Sequence, residues 1–253
     1  MAYVADPEWE WYIGELFYKL IASFAPSSFA SVVEFAPGFR YKIGNALAKL
    51  NFSGTLYVID SNPGVIRYVL EKYEALLPNA SLIGINKSLN DAASNLPSDV
   101  DLFLSNHSID DMIISLSADN SSVDRIFNDD PNAQSLLVQA WEKLSKEPLL
   151  IPQISKDVIG DFTQLFEKVR TKFVIMSQYR SNDYLQNDIA STITNDVFLR
   201  LKKLIPTDDA AVQEILNAPI KEDDQRFFER SLLDNVQNAE NWIAGTFDGR
   251  QHD

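Results

Sequence analysis

Two apolar runs of this chain each end in a carboxylate. Ser31-Val-Val-Glu34-Phe reads as a buried strand, and the small-residue turn Ala36-Pro-Gly38 follows it, with Arg40 just beyond. Thr55-Leu-Tyr-Val-Ile-Asp60 reads as a second strand, continued by Ser61 and Asn62. Two acids at the tips of neighbouring parallel strands, beside a glycine-containing turn, suit a nucleoside with free ribose hydroxyls and a cationic tail. A carboxylate at Asp60 can accept two hydrogen bonds from a vicinal diol, strengthened by its charge. Gly38 lets the backbone approach a ligand closely, and the N-terminus of the helix that follows favours an anionic group. Pro37 donates no N–H, so the turn offers one donor fewer.

A third group stands after the apolar run Val100–Ser105: Asn106-His107-Ser-Ile-Asp110-Asp111. His107 is one of two histidines, the other being His252 near the C-terminal end. An imidazole at a strand tip can take a proton from a hydroxyl or amine, or pack and hydrogen-bond against a ligand. Asn106 and Ser108 also suit a helix cap, with Asp110 and Asp111 complementing the helix dipole. Tyr179, Arg180 and Tyr184 follow a later strand and are placed to line an acceptor pocket. The spacing of Asp91, Asp110 and Asp111 is not diagnostic of Mg²⁺, and no metal site is assigned.

These groups need a scaffold, and hydrophobic periodicity supplies one. Trp9 to Phe24 follows helical spacing, with Asp6 as N-cap and Pro7 at the first helical position. Strand 31–35, a helix through Ile43 and Leu50, strand 55–59, and a helix begun by Asn62-Pro63 come next. Strand 80–85, a short helix or loop over 87–95, strand 100–105 and helix 109–117 follow. The polar run at 118–131 reads as loop with one helical turn. Helices around 136–144 and 158–169, strand 172–177, a long helix over 189–204, a short one over 211–216 and a strand over 241–247 complete the chain; Arg226–Leu233 fits helix or loop. Strands alternating with amphipathic helices predict an α/β fold: a doubly wound, mostly parallel sheet with helices on both faces. One domain is expected over 1–253, with 1–30 as a helical cover and 179–253 as the C-terminal part.

The order of parts resembles the class I S-adenosylmethionine-dependent methyltransferases over roughly residues 10 to 178. The motifs that carry the resemblance are Val32-Val-Glu34-Phe-Ala36-Pro-Gly38-Phe-Arg40, Tyr57-Val-Ile-Asp60-Ser-Asn62 and Val100–Asp111. Ala36 and Arg40 stand where the family's turn has its outer glycines. The resemblance implies a Rossmann-like methyltransferase fold and S-adenosylmethionine as cofactor, held by Glu34, Ala36, Gly38, Arg40, Asp60, Ser61, Asn62, Asn86 and Asn106. In that arrangement Glu34 acts on the methionine ammonium, Arg40 pairs the methionine carboxylate, and Asn86 (with Asn90 and Asp91 as rivals) binds the adenine amino group. His107 becomes the catalytic candidate, and Tyr12, Asp110, Asp111 and Tyr179 the substrate-side residues. The implied activity is methyl transfer to a small-molecule acceptor. The alternative is a cofactor-binding regulatory or assembly protein without transfer activity.

Composition narrows the field. Lys+Arg number 22 against 36 Asp+Glu, a formal charge of -14, which repels nucleic-acid backbones and anionic lipid. Strand four also lacks the Asn/Asp-Pro-Pro-aromatic tetrapeptide of enzymes that methylate exocyclic amines of bases. There is no cysteine, which excludes thiolate catalysis and disulfides. A nicotinamide enzyme is disfavoured, because Gly-x-Gly-x-x-Gly is missing from the first turn and Glu34 would repel a pyrophosphate. No apolar run approaches the roughly 18 residues of a membrane span, and the first residues lack signal-peptide character. A cytoplasmic protein without membrane or nucleic-acid partners is expected.

Overall fold

The structure, a computed structural model, describes residues 7–26, 28–127, 130–179, 188–220 and 230–247. Strands β1 (Ser31–Phe35), β2 (Thr55–Asp60), β3 (Ser81–Asn86), β4 (Leu102–Asn106) and β5 (Phe173–Ser177) run parallel, and β6 (Trp242–Thr246) returns antiparallel beside β5. Their order is β3-β2-β1-β4-β5-β6. The chain winds outward from β1 to β3, then crosses back to lay β4 on the other side of β1. This is the doubly wound α/β architecture expected from the sequence. Its reversal point lies between β1 and β4, where the loops leaving the carboxyl ends of the strands diverge and form a crevice.

Side chains alternate along each strand, so each strand feeds two cores. Val32, Leu56, Val58 and Leu104 pack toward α1 (Pro7–Phe24), α2 (Lys42–Lys49) and α3 (Pro63–Leu76). Val33, Phe35, Ile59 and Phe103 pack on the opposite face. The helices α4 (Leu89–Ala92), α5 (Ile109–Ser117), α7 (Ala133–Lys146), α8 (Ile151–Lys168) and α9 (Asp188–Leu204) supply that second layer. α10 (Asp209–Asn217) and α11 (Arg230–Val236) complete the first. By this alternation Glu34 shares the face of Val32, inside the layer made by α1, α2 and α3.

Several boundaries differ from the sequence reading. α6 (Asn120–Phe127) occupies the run read as loop. The Asp119 carboxylate accepts the Ser122 N–H at 3.0 Å, as an N-cap does, and Ile126 and Phe127 pack on the second core. β4 starts at Leu102, because the Val100 N–H donates to the Val169 carbonyl instead. α8 begins at Ile151, with Pro152 in its first turn, where a missing N–H costs no hydrogen bond. The ambiguous stretch before Leu233 is helical from Arg230 on; 226–229, the Asp6 cap, Arg180 and Tyr184 lie outside the described residues. Among the described residues no helix is long and apolar enough to cross a membrane.

Candidate functional site

The turn after β1 is the most informative backbone in the molecule. Ala36 has φ +51 and Gly38 φ +58, so both take the left-handed region that costs a side-chain-bearing residue about 1 kcal/mol or more. Ala36 bears that strain and donates its N–H to the Ile59 carbonyl at 2.8 Å. At Gly38 a Cβ would meet no atom within 4 Å. The backbone there faces open space at the reversal of strand order.

Asp60 ends β2 beside this turn. Its carboxylate accepts the Asn62 N–H at 2.8 Å and also the backbone N–H of Gly38. Burial nevertheless holds its pKa above the usual carboxylate value. Asp111, from the first turn of α5, is raised further by burial, then by Asp110 and by Asp60. β2 and α5 therefore bring acids to one edge of the sheet, on either side of β1.

Glu34 departs from the expected arrangement. Its side chain is 1% exposed and receives the Tyr73 hydroxyl of α3 at 2.7 Å on one oxygen and 3.0 Å on the other. The Tyr73 oxygen in turn accepts the Gly44 N–H at 3.1 Å. Gly44 makes this possible: a Cβ at that position would lie 2.1 Å from the Tyr73 ring. Burial pushes the Glu34 carboxyl up to about 8, with the Tyr73 hydrogen bond opposing and Asp60 adding to the rise.

Arg40 likewise has a protein partner. Its Nη1 lies 3.7 Å from Glu10 of α1, which is buried, and the Tyr41 N–H donates to the same carboxylate at 3.1 Å. Lys42, at the first position of α2, places Nζ 3.4 Å from the Tyr179 hydroxyl. Its pKa falls to about 8, first through burial and then through Arg40, against the pull of Glu10 and Asp110.

The far wall of the crevice is built from the ends of β4 and β5. Asn106 accepts the Ser177 hydroxyl at 2.9 Å and hydrogen-bonds Tyr179, as does Trp9. His107 sits at φ +60, with its ring edge-on to Tyr179 at 4.1 Å. Gln178 orients it. The Gln178 oxygen accepts the Ile109 N–H at 3.2 Å, which directs its amide nitrogen to Asp110 at 3.2 Å and to His107 Nδ1 at 3.3 Å. An amide nitrogen only donates, so the network assigns Nδ1 as acceptor and leaves the neutral ring's proton on Nε2. Nε2 itself is buried and has no hydrogen-bond partner among the described residues. In this tautomer His107 offers a donor, and the general-base role expected of it is available only after the Gln178 contact breaks.

The remaining expected residues take structural duties. Asn62 caps α3 by accepting the Gly64 N–H at 2.7 Å and ties α6 by donating to the Phe127 carbonyl at 2.9 Å. Asn86 clamps the turn after β2 by donating to the carbonyls of Asp60 and Ser61 at 3.0 and 2.8 Å. Tyr12 is fully buried in the first core, stacked on Trp9 at 5.7 Å, and meets the site through that ring. Asp91 pairs with Ser88 at the start of α4.

The edge thus unites Gly38, Asp60, Asp111, Arg40, Asn106, His107, Asp110 and Tyr179. Glu10, Lys42, Tyr73 and Gln178 belong to it as well and were not singled out from sequence. Glu10 left a readable signal, an acid on the apolar stripe of its helix, where a charge requires a partner. The others depend on packing.

No family model matches the chain, and no curated protein matches it in sequence. Among solved structures it is similar to residues 961–1257 of the StiE O-methyltransferase, at 12% identity and a TM-score of 0.41, covering 92% of this chain and 73% of that one. The mitomycin 7-O-methyltransferase MmcR gives 13% identity and 0.40, covering 76% and 47%. The plantazolicin methyltransferase BpumL in complex with SAH gives 12% and 0.40, covering 79% and 64%. These are likenesses of fold alone.

The space over Gly38 admits a ligand against bare backbone. Asp60 is suited to accept from a ligand's hydroxyls, Asp111 adds a second acid, and Lys42, where α2 begins, is suited to a carboxylate.

Proposed function

We propose that the chain is an S-adenosylmethionine-dependent methyltransferase acting on a small molecule. The observation that carries this reading is the open, left-handed turn at Gly38 with the Asp60 carboxylate bound to its N–H, set at the reversal of strand order. In the proposed complex Asp60 holds the nucleoside, with Asn86 clamping the turn behind it, and Lys42 faces the amino-acid carboxylate, with Arg40 beside Glu10. Glu34 ties β1 to α3 through Tyr73, and the Tyr73 hydroxyl holds Gly44 of α2.

Bound S-adenosylmethionine would supply an electrophilic methyl group for transfer to an acceptor atom. The protein's contribution is alignment and exclusion of water, so strong acid–base machinery is optional. His107, whose Nε2 is buried, acts through its neighbours and positions Gln178 and Tyr179 beside the acceptor. Asp111, with its raised pKa, is suited to take up the proton that the acceptor loses.

Calorimetry with S-adenosylhomocysteine tests the reading. Saturable binding to the wild type, weakened at least about thirtyfold in Asp60→Ala, is expected from loss of a charged hydrogen-bond acceptor. No binding by the wild type ends the proposal.

The second reading, a cofactor-binding protein without transfer activity, draws support from two contacts: Tyr73 occupies Glu34, and Gln178 holds His107 in its donor form. Tight cofactor binding with no methylated product across a broad acceptor panel would select it.

A further inference from the structure

Beside His107 lies a cavity of about 420 Å³, and the two share Asp110, Gln178 and Tyr179 as a common wall. The rest of its lining comes from α9, from the end of α11 and from the segment between α11 and β6, with Thr194, Asn195, Asn238 and Asn241 contributing amides and a hydroxyl. Three of the polar residues lining it are more than nine-tenths buried: Asp110 at 4%, Thr194 at 7% and Gln178 at 8% exposure. Folding therefore carried these groups out of water and left them facing a space large enough for a small molecule.

The chemistry of the lining is selective. Among the described residues that form it none is basic, and its two charged side chains, Asp110 and Asp196, are both acids. Asp196 is already paired with Arg200 at 2.9 Å. Asp110 is held by the neutral Gln178 amide, lies 3.8 Å from His107 Nδ1 and makes no ion pair with a lysine or arginine among the described residues, so it is the anchor of the lining. Among the described lining residues Tyr179 is the one aromatic ring and Leu199 the one aliphatic side chain, and the Asn238 and Asn241 amides are tied to Glu240 and Asn235. An anionic acceptor would be repelled, and a planar aromatic one would lay apolar carbon against a mostly polar wall.

We infer that this cavity is the acceptor site and that its ligand is a small, non-aromatic molecule carrying a protonated amine and several hydroxyl groups, the amine on Asp110 and the hydroxyls among the amides of α9 and the β6 approach. The inference rests on the methyl-transfer reading for the word acceptor, and on the cavity alone for the ligand class.

Calorimetry with three probes separates the two. Glucosamine, its neutral counterpart glucose, and catechol are each titrated into the protein with and without saturating S-adenosylhomocysteine. Glucosamine is expected to bind at least about tenfold more tightly than either of the others, and to lose at least about tenfold in Asp110→Asn, since a charged hydrogen-bond acceptor is removed. Thr194→Val, nearly isosteric, should weaken glucosamine by about threefold and leave the S-adenosylhomocysteine affinity as it was. Equal or tighter binding of glucose or catechol, no binding of glucosamine, or an unchanged glucosamine affinity in Asp110→Asn overturns the ligand class. Failure of S-adenosylhomocysteine to bind, with glucosamine still selected, overturns the methyl-transfer reading and leaves the cavity's ligand class standing.

Discussion

Burial of Glu34 makes the stability of this fold depend on pH in a direction opposite to that of an ordinary salt-bridged carboxylate. The side chain is 1% exposed, and its pKa rises from 4.5 to about 8 on folding. The folded state therefore binds this proton more tightly than the unfolded chain does. Stability is full below about pH 4.5 and falls as pH rises toward 8, after which the contribution is flat. The rise is worth at most about 5 kcal/mol, or about 1.4 kcal/mol for each pH unit inside the window. Glu34→Gln keeps the shape and one acceptor for the Tyr73 hydroxyl but cannot ionise. Urea unfolding of both proteins, followed by tryptophan fluorescence from pH 5 to 8, isolates the effect as a difference, because Asp60 and Asp111 titrate in both. The variant should gain on the wild type by roughly 1 kcal/mol per pH unit. Two parallel stability curves, with a gap that does not change with pH, would refute the claim that Glu34 is buried beside Tyr73.

Three other outcomes follow from the same geometry. Gly44→Ala would drive a methyl to 2.1 Å from the Tyr73 ring; a loss of about 2–3 kcal/mol in urea unfolding is expected from overpacking, and a loss below about 0.5 kcal/mol would show that Tyr73 lies elsewhere. Asp111→Asn removes a half-buried acid that is opposed by Asp110 and Asp60, so at pH 7 the variant should unfold at a higher temperature than the wild type, and the gain should vanish at pH 4 where the acid is already protonated. Lys42 should titrate near pH 8 by ¹³Cε NMR, in a resonance absent from Lys42→Arg. The folded state sheds this proton earlier than the unfolded chain, so its contribution to stability grows as pH rises from about 8 toward 10.5. A resonance with an ordinary lysine midpoint would remove Lys42 from the crevice.

Much of the architecture was legible in the residues because it rests on local rules. Apolar runs of strand length, amphipathic stripes and the Asn62-Pro63 and Pro7 start signals each report on neighbours a few positions away. Their alternation leaves few topologies open. α6 was missed because its cap, Asp119, sits in a polar run and only Ile126 and Phe127 mark its buried face. The site was less legible. Glu34 was read as facing a ligand, yet its partner is Tyr73, a residue indistinguishable by spacing from the rest of the apolar stripe of α3. Arg40 was read as facing a carboxylate of the ligand, and the nearby carboxylate is Glu10 of the protein.

The sequence by itself determined the order of strands and helices, the acid at the end of β2 and the glycine at the turn, since each follows from hydrophobic period, turn chemistry or the φ that only glycine adopts freely. Tertiary structure alone decided which way each polar group is satisfied: that Glu34 turns to Tyr73, that Gln178 fixes the tautomer of His107, and that Asp110 faces a cavity lined by amides. The physical reason is reach. A hydrogen bond forms between groups within about 3 Å in space, and residues 39, 68 or 71 positions apart come within that distance only once the two cores have packed.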